Sequence, residues 1–585
     1  MKRSQSFTFW KFSVIFIPVL LVIVLVSACA MPAQAPSPSM EDSAGAPAPS
    51  PAPAPRPTPQ PAPTAPTAPG AQEGASKYRP DGGETIGLAA GGAMDINNFR
   101  ENIINGYLPL PTDMTYEGLF YDYYFDTGQS GPCDKLFCPS YSCAVTRDPF
   151  SNKTEYYLSV GLNSGLEERD FERKKLNLVI VLDISGSMSS PFNEYYYDHA
   201  GNQMRLDIRE RNLAKIEVAK DSIIAIMDQL DYDDHFGVVL FNSRAHLLER
   251  MTSAGHADMD EIEDSIYEIR PNGNTNLSDG MKLATELLDG YELDPYEYEN
   301  RIIFLTDAMP NTGILGSYSL LRQLKKNADN QIYTTFVGIG VDFNTDLVED
   351  ITKTRGANYY SVHSPRDFVQ RMEDEFDYMV TPLVFDLRLT MDASGWDIEQ
   401  VYGSPEADKA RGDLMRVNTL FPSPKEEGET RGGLILLKLK KKGGGWGSIK
   451  LRTSYEDRGG YKDSSEATIR FEDARAEYFE NSGIHKGVLL ARYADLMRDW
   501  TVDEWEHAHW SRPWEPRVTE EDGIVIPPSN LGKWERQSLP LMVSSEYRSL
   551  FREFSDYFEY EMEEIGDYSL DQELDLLESL SRFRY

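Results

Sequence analysis

The sequence contains few cysteines, few histidines and few basic residues for its length. Four cysteines and eight histidines are spread over 585 residues. Lysine and arginine together number 58, against 94 acidic residues, and the formal net charge is −36. So acidic a chain is poorly suited to binding nucleic acid or anionic lipid headgroups, because both carry negative charge. The composition suits divalent cations, or simply solubility.

Long apolar runs are missing after residue 28, so no later segment is long enough to span a membrane and form a pore. Before that point, Lys2, Arg3 and Lys11 precede the run FSVIFIPVLLVIVLV, and small residues precede Cys29. This order is typical of a secretory signal over residues 1–28.

The end of the signal resembles the lipobox of bacterial lipoproteins, in which the cysteine after the cleavage point is lipidated. Here that residue is Cys29. The alternative is an ordinary transmembrane anchor starting near Phe12. In both cases the bulk of the protein is held at a membrane, outside the cytoplasm. We therefore expect a lipid-anchored protein on the extracytoplasmic face of the cell membrane or outer membrane.

The remaining cysteines, Cys133, Cys138 and Cys143, lie close together in the stretch CDKLFCPSYSC. No histidine or fourth cysteine lies near them, so a zinc site is not expected. An exported location permits disulfides, and three thiols allow one pair with one left over. We expect a local disulfide that closes a loop, and the sequence leaves the pairing open.

Composition and periodicity divide the chain after the signal into five segments. Residues 29–94 are rich in Pro, Ala and Gly, which predicts a disordered linker. Residues 95–170 form an aromatic flanking segment. Strands and helices alternate over 171–380, which predicts an α/β domain with a doubly wound, mostly parallel sheet. Apolar and polar residues alternate between Gly-rich turns over 381–473, which predicts an antiparallel β-rich domain. Residues 474–585 are predicted to be helical.

Side chains that carry oxygen lie at three loops of the α/β segment. Asp183, Ser185 and Ser187 directly follow the apolar strand LNLVIVL. Thr275 precedes a helix, and Asp307 ends the strand IIFLTD. Ligands of doubly wound sheets bind where loops leave the carboxyl ends of the strands. Hydroxyl and carboxylate oxygens suit a hard divalent cation such as Mg²⁺, with Ca²⁺ or Mn²⁺ as alternatives. The competing interpretation is that these side chains only satisfy backbone groups of a turn.

These three loops, in this order, resemble the metal-ion-dependent adhesion site of von Willebrand factor type A domains. The sequence DISGS matches that family's D-x-S-x-S motif, and Thr275 and Asp307 match its second and third loops. The order of segments resembles type A domain lipoproteins of the bacterial cell envelope, a family often labelled calcium-activated chloride channel homologues. The β-rich segment also resembles that of inter-α-trypsin-inhibitor heavy chains. One departure is Ala308, where a glycine often follows the aspartate.

The resemblance implies a role for each of the five residues. Ser185, Ser187 and Thr275 would contact the metal, while Asp183 and Asp307 would act directly or through water. The remaining coordination position would take an Asp or Glu side chain from a partner protein. The expected function is therefore a membrane-tethered, extracytoplasmic protein-binding module, for adhesion or for assembly of an envelope complex.

Two other functions remain open from the sequence. A metal-dependent hydrolase would need a general base, and the only imidazole near the first loop in sequence is His199. No phosphate-binding Gly loop with Lys and no G-x-S-x-G motif is present, so we do not expect an enzyme. The third possibility is a structural protein whose metal site is filled by its own acidic tail, EYEMEEIGD.

Overall fold

The structure, a computed structural model, describes most of the chain after residue 84. The described residues are 85–94, 96–128, 135–191, 214–289, 291, 296–307, 316–340, 353–362, 372, 375–393, 395–404, 406–407, 414–442, 449–469, 476–511 and 539–584. The predicted signal, the predicted lipidation site Cys29 and the residues Cys133, His199 and Ala308 lie outside these ranges.

The regular elements of the described residues are numbered in chain order. The strands are β1 (Thr85–Ala90), β2 (Tyr124–Phe125), β3 (Ser140–Arg147), β4 (Thr154–Gly161), β5 (Asn163–Glu167), β6 (Lys175–Asp183), β7 (His235–Phe241), β8 (Ala245–Ser253), β9 (Tyr298–Thr306), β10 (Ile332–Ile339), β11 (Asn358–Val362), β12 (Val384–Ala393), β13 (Trp396–Tyr402), β14 (Glu406–Ala407), β15 (Leu414–Ser423), β16 (Lys425–Glu426), β17 (Glu429–Arg431), β18 (Leu434–Lys441), β19 (Ile449–Asp457), β20 (Lys462–Ile469) and β21 (Tyr478–Phe479). The α-helices are α1 (Asn97–Ile104), α2 (Tyr116–Tyr121), α3 (Lys215–Asp228), α4 (Met259–Tyr267), α5 (Leu277–Asp289), α6 (Gly316–Asp329), α7 (Phe376–Val380), α8 (Ser482–Ser511), α9 (Ser545–Ile565) and α10 (Asp571–Arg582).

The α/β segment forms a six-stranded sheet in the order β11-β10-β9-β6-β7-β8. All of its neighbouring strands are parallel except β7 and β8. Strand β6 is buried on both faces, which explains its continuous apolar sequence. Leu178 and Ile180 pack with α3 and α4, whereas Val179 and Val181 pack with α5 and α6. The predicted doubly wound, mostly parallel sheet is confirmed.

The antiparallel β domain consists of two larger sheets that share one apolar core. One sheet has the order β20-β19-β12-β15-β1-β5, with β14 beside β15, and the other has the order β13-β18-β4-β3-β21. Side chains from both sheets meet in this core, among them Leu88 of β1, Leu158 of β4 and Leu389 of β12. The predicted antiparallel domain is therefore present, and alternating side chains bury one face of each sheet.

The β domain extends beyond the predicted boundaries of 381–473. Strands β3, β4 and β5 come from the flanking segment 95–170, and β1 comes from within the predicted linker 29–94. Strand β1 pairs with β15 on one side and β5 on the other. Its sequence, TIGLAA, follows a Gly-rich stretch and has no clear alternation, so its strand structure depends on partners that are distant in the chain.

The C-terminal helices α8, α9 and α10 pack with α1 and α2 in a separate apolar core. Trp500 and Trp505 of α8 are buried there, and their indole nitrogens donate to the carbonyls of Met542 at 3.1 Å and Pro109 at 2.7 Å. The predicted helical C-terminal region is thus confirmed. Among the described residues, no helix is both long enough and apolar enough to cross a membrane.

The chain before α1 also connects the β domain to the parallel sheet. After leaving β1, it forms a parallel bridge between Ala93 and Tyr359 of the edge strand β11. The Met94 N–H donates to the Tyr359 carbonyl, and the Tyr359 N–H donates to the Gly92 carbonyl, both at 2.9 Å. Glu375, next to α7, forms an ion pair with Arg431 of β17. These contacts, together with the ion pairs of Arg355 with Asp386 and Glu456, hold the α/β domain to the β domain.

Substitution of Leu88 tests whether β1 is part of the folded core. Leu88 is fully buried, so Leu88→Ala should lower the free energy of unfolding by about 2–5 kcal/mol, through lost burial and the cavity left behind. Urea denaturation followed by circular dichroism measures this change. An unfolding free energy within about 0.5 kcal/mol of the wild type would show that residues before 95 are a linker, as their composition suggests.

Candidate functional site

The first candidate loop leaves the carboxyl end of β6 at the centre of the parallel sheet. Asp183 is the last residue of that strand, and its neighbour Ile184 donates its N–H to the Phe241 carbonyl at the end of β7, at 2.8 Å. The Asp183 Oδ1 accepts from the Ser185 N–H at 2.8 Å. A 3₁₀ turn, Gly186–Ser189, then carries Ser187. The Asp183 side chain therefore bonds to the backbone directly before this turn, in agreement with the competing interpretation.

The second candidate loop is hydrogen-bonded to the first through the backbone. The Asn272 N–H donates to the Ile184 carbonyl at 2.8 Å, and the Gly186 N–H donates to the Gly273 carbonyl at 2.9 Å. Gly273 has a φ of +79°, which favours glycine, and a Cβ on Gly186 would lie 3.3 Å from the Gly273 oxygen. The two glycines allow this close approach. Thr275 lies three residues after the first contact, buried, just before α5.

The third candidate loop begins beside the first because β9 pairs with β6 in parallel. Asp307 is the residue after β9. Its Oδ1 accepts a hydrogen bond from the Ser187 hydroxyl at 3.1 Å, and the Ser187 and Ser185 hydroxyl oxygens are 3.0 Å apart. The Thr306 hydroxyl donates to Asp183 Oδ2 at 2.6 Å. The structure thus joins four of the five predicted residues in one hydrogen-bonded cluster, so the side chains do more than complete one turn.

Two carboxyl groups of this cluster are buried close to each other. The side chains of Asp183 and Asp307 are shielded from solvent. Burial raises the pKa of the Asp183 carboxyl to about 7, and the negative charge of Asp307 acts in the same direction. A cation between the two carboxylates would remove this unfavourable charge, so the buried pair is a feature expected of a cation site.

The oxygen atoms at this edge of the sheet fit a hard divalent ion. Asp183 and Asp307 could provide two carboxylates, and Ser185, Ser187 and Thr275 could provide three hydroxyls. Within the part of the chain that the structure describes, no group of three or more His, Cys, Asp or Glu side chains is placed to hold a metal. Metal binding at this site would therefore depend on hydroxyl ligands, a donor set that suits Mg²⁺ better than a soft metal.

Two residues of the site were not predicted from the sequence. The Thr306 hydroxyl orients Asp183, and the Lys215 ammonium lies 3.4 Å from Asp307 Oδ2. Thr306 is the last residue of the apolar strand β9 and directly precedes Asp307. Its position beside a predicted metal ligand was therefore a signal in the sequence. Lys215 starts a helix, where a lysine is usually exposed, and its sequence context contains no signal for burial.

The two cysteines that the structure describes, Cys138 and Cys143, lie in the β domain. Cys138 is disulfide-bonded, and its partner is outside the described residues. Cys143, in β3, is a buried free thiol, and burial raises its pKa to about 12. Of the two predicted cysteines that the structure describes, Cys138 is therefore in a disulfide and Cys143 is not.

The buried Asp183 carboxyl predicts how stability of the metal-free protein depends on pH. The folded-state pKa lies above the ordinary value of 3.8, so the folded chain binds more protons than the unfolded chain between about pH 4 and 7. The contribution of Asp183 to stability should therefore fall as the pH rises through that window. In EDTA, the Tm of Asp183→Asn minus that of the wild type should increase between pH 5 and pH 8.

The control for this experiment is Asp260→Asn, which removes one exposed carboxyl from α4. Differential scanning calorimetry at constant ionic strength gives each Tm. If the Tm difference between Asp183→Asn and the wild type stays constant from pH 5 to pH 8, Asp183 is not a buried carboxyl with a raised pKa.

Comparisons with known proteins agree with the geometry of the α/β domain. A family model of the von Willebrand factor type A domain matches residues 178–309, a range that contains all five candidate ligands. The chain is 25% identical over 211 residues to inter-alpha-trypsin inhibitor heavy chain H4 from Sus scrofa, covering 36% of this chain and 20% of that protein. It is 23% identical over 212 residues to the human H4 chain, with coverage of 36% and 20%.

The chain thus spans about a fifth of the length of the curated relatives it matches. A solved structure described as von Willebrand factor type A from Catenulispora acidiphila covers 65% of this chain and 84% of its own, with 14% identity and a TM-score of 0.38. The match of the family model, together with the six-stranded sheet and its ordered loops, shows that the chain contains a von Willebrand factor type A domain.

Proposed function

We propose that the type A domain binds a partner protein through a divalent metal ion held by Asp183, Ser185, Ser187, Thr275 and Asp307. Type A domains mediate protein–protein interactions and commonly bind a divalent metal at such a site. The observation that carries the proposal is the hydrogen-bonded cluster in which the Ser187 hydroxyl bridges Ser185 and Asp307. Three separate loops place their oxygen atoms at one edge of the sheet, where ligands of such sheets bind.

The five proposed ligands have different roles in the site. The hydroxyls of Ser185, Ser187 and Thr275 are neutral ligands, whereas Asp183 and Asp307 supply negative charge. Thr306 and the Ser185 N–H hold Asp183 in place, so its carboxylate is oriented before any ion binds. When bound, the metal supplies an electrophilic coordination position for a carboxylate oxygen of the partner.

The strongly acidic chain can still bind an acidic partner. The net charge of −36 acts over long distances, but solvent-exposed charges are screened beyond about 8–10 Å at physiological salt. A bound metal acts at contact distance instead. We therefore infer that the recognised group is an Asp or Glu side chain on the surface of another protein.

Two alternative functions have less support from the described contacts. A hydrolase would need a general base at the serines, and within the described residues no histidine is hydrogen-bonded to Ser185 or Ser187. Filling of the site by the acidic tail would need free carboxylates. In that tail, Glu561 bonds to His485 at 2.5 Å and Asp567 pairs with Lys486 at 2.6 Å, whereas Glu559, Glu563 and Glu564 are exposed. The tail lies largely in α9, whose Phe558 and Met562 are packed in the helical core. We therefore propose an external partner and a non-enzymatic role.

Tethering through Cys29 completes the proposed function. A lipid on that residue would hold the folded part at the outer face of a membrane, where it could contribute to adhesion or to an envelope complex. Cys29 and the signal before it lie outside the described residues, so this part of the proposal depends on their sequence alone.

The proposal predicts that partner capture depends on the metal. With the purified chain immobilised and envelope proteins of the source cells applied, capture should occur in 5–10 mM Mg²⁺ and be lost in EDTA. Such millimolar concentrations suit a site with few carboxylates, by analogy with weak extracellular calcium sites. Quantitative mass spectrometry of the eluted proteins measures the difference, and Asp183→Ala should reduce capture as strongly as EDTA does.

A matched pair of serine variants provides the control. Ser187→Ala removes a hydroxyl of the cluster, whereas Ser189→Ala removes an exposed hydroxyl of the same 3₁₀ turn, which donates to the Gly186 carbonyl at 2.6 Å. Capture should fall at least about tenfold in the first and little in the second. Capture that persists in EDTA would sink the proposal, and metal-dependent turnover of a captured protein would favour the hydrolase.

A further inference from the structure

Lys215 introduces a positive charge into the same buried cluster. It is the first residue of α3, and its backbone N–H donates to the Ser190 carbonyl at 2.9 Å, directly after the turn that carries Ser187. Its Nζ lies 3.4 Å from Asp307 Oδ2, and both side chains are completely shielded from solvent. Lysine is seldom fully buried, because its ammonium loses its hydration unless a negative charge lies nearby.

The two oxygens of Asp307 have different partners. Oδ1 accepts from the Ser187 hydroxyl, and Oδ2 faces the Lys215 ammonium. Asp183, in contrast, receives its described hydrogen bonds from the Ser185 N–H and the Thr306 hydroxyl, which are uncharged donors. Lys215 therefore fixes the orientation of Asp307 and offsets the charge of one of the two carboxylates.

We propose that Lys215 determines which ligands the metal-loaded site prefers. Its positive charge lowers the affinity of the site for the divalent ion. The same charge keeps the metal-loaded site net positive, so that the site selects a carboxylate. This inference rests on the proposed metal-dependent function. Two carboxylates alone would neutralise a divalent ion and leave little attraction for a third. The buried ammonium leaves one positive charge, which a single Asp or Glu of the partner would balance.

The size of the effect follows from burial. A unit charge a few ångströms away has a strong influence in a buried site, where the effective dielectric constant is well below that of water. Lys215 is thus a positioning residue rather than a metal ligand. It should affect metal affinity and carboxylate affinity in opposite directions, whereas a residue needed only for folding would lower both.

The test uses Lys215→Met, which keeps most of the side-chain length without the charge, and Lys215→Arg, which keeps the charge. Isothermal titration calorimetry with MgCl₂ gives the metal affinity of the full chain. A second titration of the Mg²⁺-saturated protein with N-acetylated, C-amidated Gly-Asp-Gly, and with Gly-Asn-Gly blocked in the same way as control, gives the affinity for a side-chain carboxylate. We expect Lys215→Met to bind Mg²⁺ about tenfold tighter and Gly-Asp-Gly about tenfold weaker, and Lys215→Arg to resemble the wild type in both.

Other results would separate a failure of this inference from a failure of the proposed function. A Lys215→Met protein that binds both ligands more weakly, or Mg²⁺ with unchanged affinity, overturns the inference while leaving the proposed function intact. A wild type that binds no Mg²⁺ overturns the proposed function itself. If Lys215→Met does not fold, as judged by circular dichroism, Lys215→Gln replaces it, and the same opposite shifts are required.

Discussion

The hydrogen bond from Ser187 to Asp307 joins two residues 120 positions apart, and the candidate metal site depends on it. The bond is possible because β6 and β9 pair in parallel, with Leu182 opposite Leu305, so that both strands end at the same edge. That pairing in turn depends on side chains of β6 that are buried between helices on both faces. The apolar core of the α/β domain therefore positions polar groups that could not assemble on loops alone.

The site buries two carboxyl groups, which is unfavourable because both can carry negative charge. The groups around each carboxyl offset this penalty in different ways. Uncharged donors hold Asp183, whose pKa burial raises to about 7, and a buried ammonium accompanies Asp307. Because only Asp307 is paired with a cation, the site would keep a net positive charge when a divalent ion is bound, as proposed above. The bridge between Ala93 and Tyr359 and the ion pair of Glu375 with Arg431 help to hold the α/β domain to the β domain.

Much of the α/β domain and its candidate site could be predicted because their signals are local. The apolar sequence of β6 is followed directly by Asp183, Ser185 and Ser187. Hydrophobic periodicity indicates each of the following helices. Strand β1 could not be predicted, because its pairing with β15 joins residues more than 300 positions apart and its own sequence is indistinct. Lys215 was also not identified, since only the tertiary structure shows that the ammonium of this helix-initiating residue is buried against Asp307.

Anomalous X-ray scattering can show whether these three loops hold one divalent ion. Crystals of the protein grown or soaked in Mn²⁺ would be measured at the manganese absorption edge. One strong anomalous peak should lie among the hydroxyls of Ser185, Ser187 and Thr275 and the carboxylates of Asp183 and Asp307. A map from fully soaked crystals with no peak at this edge of the sheet, or with manganese only elsewhere, would show that the three loops do not form a metal site.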